Sequence, residues 1–133
     1  MKAVDTNVLV RFLVKDDEQQ AAIVHRMLNQ YEEQKESLFV PVLVVLELLW
    51  VLEAVYGVER EEMVRSVNDL MVMPVFEFEQ QSAVRAFLSS ADQSSCDLSD
   101  LLIAHSAAAA GCDTTYTFDK KASKFDLFEA MTG

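Results

Sequence analysis

Polar and apolar residues alternate in two rhythms along this chain, one helical and one strand-like. Ala22, Ile23, Met27, Leu28 and Tyr31 recur at the spacing that lines one helical face, which predicts a helix from Glu18 to about Lys35 capped by Asp16-Asp17. Residues 37–40 read as a strand. Pro41 suits the first turn of a helix running to Tyr56, and Gly57 suits its stop. A second amphipathic helix covers Glu59 to Met73 before Pro74 breaks it, and Val75-Phe76-Glu77-Phe78 is a brief strand. Helices follow over Glu79 to Ser90 and Leu98 to Ala110, Gly111 ends the latter, and Asp113 to Phe118 is the last clear strand. At the other end, Met1 to Val4 is a short strand and Asn7 is placed to cap a helix opening at Val8. Strands separated by helices imply an α/β fold with a mostly parallel sheet covered on both faces.

Size and composition narrow the classes. At 133 residues, 51% of them hydrophobic, the chain fits one domain over residues 1–133 with its own core. Its longest apolar stretch, Pro41 to Leu52, is interrupted by Glu47 and falls short of the roughly 20 residues a membrane helix needs. An acid at position 5 precedes any signal-peptide apolar region, so a cytoplasmic protein away from membranes is the expectation. Cys96 and Cys112 lie outside any CxxC or zinc-finger spacing and read as reduced apolar fillers, like the Met and Phe residues including Phe125 and Phe128. Trp50 reads as core or dimer interface. The net charge of −11 argues against broad phosphate binding by lysine and arginine, so any contact with nucleic acid must be local. It also suits a basic protein partner.

Four carboxylates stand where an unaided charge fits badly. Asp5 and Asp119 follow predicted strands, where open α/β sheets place ligands, although an aspartate there can equally hydrogen-bond its own turn. Glu47 has Leu43, Val44, Trp50 and Val51 as its helical neighbours, so it lies at the rim of a cleft, snorkels outward or pairs with an arginine. Asp97 and Asp100 share a helical face; Asp97 reads first as an N-cap and Asp100 sits where the helix dipole favours an acid. Thr6 and Thr117 are turn residues or donors to the carboxylates. His25 reads as part of a solvated face and His105 as a lone histidine before an alanine run.

Taken in order, Val4-Asp5-Thr6-Asn7-Val8-Leu9, the segment Val44 to Leu52 around Glu47, Asp100-Leu101-Leu102-Ile103-Ala104 and Thr117-Phe118-Asp119 resemble the motifs of PIN-domain ribonucleases, specifically the VapC toxins of toxin–antitoxin pairs. The resemblance implies a three-layer α/β/α fold around a mostly parallel sheet of four to five strands. It matches Asp5, Glu47, Asp100 and Asp119 to the family's acidic quartet, Thr6, Asn7 and Thr117 to the polar residues beside it, and Asp97 to an acidic position seen in many members. It further implies an endoribonuclease, a homodimer, and a cognate antitoxin. Two unit charges about 4 Å apart repel by about 4 kcal/mol at an effective dielectric near 20, so four acids need a cation. All-oxygen donors suit Mg²⁺ or Mn²⁺ rather than zinc, with an activated water attacking the phosphate in line. Lys120, Lys121 and Lys124, and Arg11 beyond Asp5, are candidates to hold the RNA backbone. Two other classes share features with this pattern. A phosphoacceptor signalling domain would want paired acids after the first strand, where Asp5-Thr6-Asn7 supplies one; a non-catalytic interaction module would leave the quartet without a purpose.

Overall fold

The computed structural model describes residues 1–132, which divide into two compact units at Glu79 and Gln80. In the first unit three short strands, β1 (Lys2–Ala3), β2 (Leu38–Val40) and β3 (Phe76–Phe78), form a parallel sheet in the order β1-β2-β3. Each parallel crossing is made by two helices: α1 (Thr6–Val14) and α2 (Glu18–Glu33) between β1 and β2, then α3 (Val42–Ala54) and α4 (Arg60–Met71) between β2 and β3. Parallel neighbours cannot be joined by a hairpin, so the helices follow from the pairing. Register runs from Lys2 beside Leu38 to Val40 beside Phe78, and Val4, Leu38, Val40, Phe76 and Phe78 bury the strands among Leu9, Leu48, Leu49, Leu52, Val67 and Leu70. The carboxyl ends of the three strands therefore deliver Asp5, Pro41 and Glu79.

The second unit packs α5 (Gln81–Ser90) against α6 (Leu98–Ala109), with Val84, Phe87, Leu101 and Leu102 buried. Beyond them β4 (Thr115–Thr117) and β5 (Phe128–Ala130) pair in parallel, Tyr116 opposite Glu129, across a 3₁₀ turn at Ala122–Lys124. Five strands in all, every pairing parallel, agree with the expected class, but among the described residues they form one sheet of three and one of two. β5 is absent from the sequence reading because Asp126, Leu127, Phe128 and Glu129 show no sustained alternation.

Several local expectations shift. The first helix opens at Thr6 rather than Val8, and its cap is Asp5 rather than Asn7. α3 starts without a side-chain cap from Pro41; instead the Glu79 carboxylate accepts from the Val42 amide at 2.7 Å, a long-range bond with no local signature. The fifth helix begins at Gln81, not Glu79, because Gln80 takes a left-handed conformation with φ 52°. Gly57 does close α3's turn: at φ 62° its amide reaches the Glu53 carbonyl, and the Val58 amide reaches Leu52. Cys96 is buried as expected, whereas Cys112, in the turn after Gly111, is exposed. Phe118, Met1 and Met131 are also exposed, not core. His25 is half-buried and packs its ring on Phe12 at 5.4 Å. No described helix is long and apolar enough to cross a membrane.

Candidate functional site

Each unit brings together part of the predicted acidic set. In the first, Asp5 lies two residues beyond β1 with extended backbone and leads straight into α1, where its Oδ1 accepts from the Val8 amide at 3.2 Å. Thr6, the next residue, is buried, and its hydroxyl donates to Oε1 of Glu47 on α3. One dipeptide thus carries the first acid and fixes the second. Asn7 points its position away from the core and is exposed.

Glu47 itself corrects the sequence picture. Its apolar helical neighbours exist, but Glu47 is exposed and so are Leu43 at 72% and Trp50 at 62%. α3 is apolar on nearly every side, so apolar neighbours did not mean a buried face; burial falls on Val45, Leu48, Leu49 and Leu52. The carboxylate is held by Thr6, not by desolvation.

In the second unit Asp100 is half-buried in the first turn of α6. Burial first, and then the negative charges of Asp97 and Asp119, push its carboxyl above the usual carboxylate range. Asp97 and Asp119 are therefore near enough to Asp100 to act on its carboxyl electrostatically. Asp97 occupies the N-cap position of α6 yet makes no side-chain capping bond, so the capping role expected for it is not exercised. Asp119 is exposed, and its Oδ1 accepts from the amides of Lys121 at 2.8 Å and Ala122 at 3.2 Å. Thr117 acts as a turn residue: its hydroxyl accepts from the Asp119 amide at 3.0 Å.

In Asp5, Glu47 and Asp119 one carboxylate oxygen is pinned by a hydrogen bond and the second oxygen accepts none among the described residues. Oxygen-only donors of this kind, in each unit by itself, have the chemistry a hard divalent cation requires. Within either unit, no three His, Cys, Asp or Glu side chains among the described residues already stand at metal-holding distances. The histidines and cysteines belong elsewhere: His105 Nε2 lies 2.7 Å from Ser90 Oγ, and Cys96 lies 2.9 Å from Ser94 Oγ.

Of the basic candidates, Lys120, Lys121 and Lys124 are exposed. Arg11 is engaged: it donates to Gln20 at 2.6 Å and to Tyr56 at 3.3 Å, and pairs with Asp16 at 3.0 Å, while Tyr56 also donates to Asp16 at 2.9 Å. This cluster clamps the α1–α2 turn to the end of α3. Sequence reading missed it, since its members are 5 to 45 residues from Arg11.

A parallel-stranded α/β chain with acids at the ends of its first and fourth strands and on two helices is what PIN domains present. The PIN domain family model matches residues 2–127, and the chain belongs to that family, with its three-layer α/β/α class of fold. Among curated proteins it is similar to a VapC ribonuclease of Aquifex aeolicus (strain VF5), at 27% identity over 124 residues, covering 93% of this chain and 91% of that protein. No solved structure gives a significant match.

Proposed function

We propose that this protein is a metal-dependent endoribonuclease of the VapC kind, acting as a single PIN domain over residues 1–133. The observation that carries the reading is the similarity to a VapC ribonuclease along nearly the full length of both chains. The local geometry supports it through three carboxylates each held by one oxygen, with Asp100 set among Asp97 and Asp119. Asp5, Glu47, Asp100 and Asp119 hold Mg²⁺, for which Mn²⁺ substitutes. When bound, the ion neutralises phosphate charge and acidifies a water enough to attack the phosphodiester.

The chain's own residues divide the remaining work. Thr6 orients Glu47, and the Val8 amide orients Asp5, so that the second oxygen of each is presented without a search over rotamers. Asp119 is likewise set by its turn, while Thr117 holds the backbone that carries it. Asp97 adds negative charge beside Asp100 and so strengthens the demand for a cation. Lys120, Lys121 and Lys124 contact the RNA backbone. The protein works in the cytoplasm as a homodimer and is silenced by a cognate antitoxin, a role for which a chain of charge −11 suits a basic partner segment.

The test is cleavage of total RNA by purified protein with Mg²⁺ or Mn²⁺. We expect cleavage that stops with EDTA and is lost in Asp100→Asn, with the variant still folded by circular dichroism. Undiminished cutting by Asp100→Asn would remove the site assignment.

A further inference from the structure

Arg11 stands where three elements meet. It lies in the last turn of α1, and its Nε donates to Gln20 of α2 at 2.6 Å. Its Nη1 donates to Oδ1 of Asp16, in the turn between α1 and α2, at 3.0 Å and to the Tyr56 hydroxyl, just beyond α3, at 3.3 Å. Tyr56 in turn donates to the other Asp16 oxygen at 2.9 Å. Arg11, Tyr56 and Asp16 thus close a ring in which both Asp16 oxygens are engaged.

An ion pair on a surface adds little to stability, because solvent screens it and flexible side chains lose freedom in making it. What such a ring can fix is direction. α1 has nine residues, packs on both α2 and α3, and buries Leu9 and Val10 as its apolar contacts. Apolar contact is non-directional, so two such side chains keep α1 on the core without setting its rotation or its slide along α3. Directional bonds set both. At one end of α1 Thr6 donates to Glu47 of α3, and near the other Arg11 donates to Tyr56 past the end of α3. A planar guanidinium has fixed donor directions that suit this task, whereas a lysine ammonium has no fork.

We propose that Arg11 is a positioning residue for the acidic site: its ring with Tyr56 and Asp16 sets the seating of α1 on α3, and through it the Thr6 hydroxyl that holds the Glu47 carboxylate. Asp5, which caps the same helix, is carried with it. This rests on the metal-dependent ribonuclease reading above and adds to it a residue outside the acidic set. In this role Arg11 acts through α1 rather than on RNA.

The test compares Tyr56→Phe, Arg11→Lys and Val67→Ala with the wild type, each as the whole chain. Val67 is fully buried on α4, outside the ring and the acids, so Val67→Ala reports lost stability alone. Two quantities are read: Mn²⁺ affinity of the RNA-free protein, by electron paramagnetic resonance of the free ion, and kcat and KM for RNA cleavage with Mg²⁺. Tyr56→Phe removes the hydroxyl that Arg11 and Asp16 share and leaves every charge in place. It should weaken Mn²⁺ binding and lower kcat by roughly 2- to 10-fold each, the range for one net hydrogen bond, with KM unchanged and melting temperature near wild type. Arg11→Lys should lose at least as much, although it keeps its charge. Val67→Ala should melt lower with both readings unchanged.

Wild-type values in Tyr56→Phe would overturn the proposal. An equal fall in Val67→Ala would also overturn it, by making the ring one more source of stability. A raised KM in Arg11→Gln that is restored in Arg11→Lys and absent from Tyr56→Phe would place Arg11 on the RNA instead. Wild-type protein that binds Mn²⁺ but cuts no RNA removes the ribonuclease reading alone, and the Mn²⁺ affinities of the variants then decide the positioning role. Wild-type protein that binds no Mn²⁺ overturns both.

Discussion

At Asp5 one carboxylate has two duties, capping α1 and contributing charge to the proposed site, and substitution can separate them. Asparagine caps a helix about as well as aspartate, so Asp5→Asn should keep stability within a few tenths of a kcal/mol. It should nevertheless abolish RNA cleavage, because the negative donor is gone. Asp5→Ala should lose the cap as well, at about 1 kcal/mol, measured as a lower midpoint in urea unfolding with an unchanged slope. A stable and fully active Asp5→Asn would leave Asp5 as a cap alone. Asp119 poses the same question, since its turn already uses Oδ1.

Packing in the α5–α6 pair tunes the ionisation of His105. His105 lies against Ser90 and the Phe125 ring, and burial lowers its pKa below the ordinary value of 6.5. The folded state therefore resists protonation that the unfolded chain accepts. Its contribution to stability is fully present above pH 6.5 and is lost as pH falls from there through the lower folded value. His105→Gln should flatten that part of the stability curve, read from urea midpoints between about pH 7.5 and 5 against the wild type. Equal slopes would place the pH dependence in the carboxylates. Element by element, α4 was legible as an amphipathic helix, whereas α2 was legible as a helix but its buried side was misplaced: Ala21, Val24 and Leu28 are buried, and Ala22 and Ile23 of the expected face are exposed. α3 was legible as a helix but not for its buried side, because a segment apolar all round carries no phase information.

Across the whole chain, 22 acidic residues against 11 basic ones make cation binding a stability term. A ligand that binds only the folded state raises its melting temperature by mass action. Mg²⁺ should therefore raise the melting temperature of the wild type more than that of Glu47→Gln, measured by differential scanning fluorimetry at matched ionic strength. Matching ionic strength with NaCl removes general screening, whose reach is about 10 Å at 0.1 M. Identical shifts in the two proteins would place Glu47 away from the ion. The long-range bonds explain why so much of this was beyond sequence reading: Thr6 to Glu47 spans 41 residues and Glu79 to Val42 spans 37.

By itself the sequence determined the alternation of helices and strands, the excess of negative charge, and the four motifs of the PIN family, because periodicity, composition and local order are properties of the chain before it folds. Which groups hold which was decided only in three dimensions. Thr6 became the partner of Glu47, Asp5 displaced Asn7 as the cap, Asp97 kept its position without capping, and Phe118 came to the surface. Each of these depends on distances between segments far apart in sequence, where one hydrogen bond or one buried face selects among options that local spacing leaves equal.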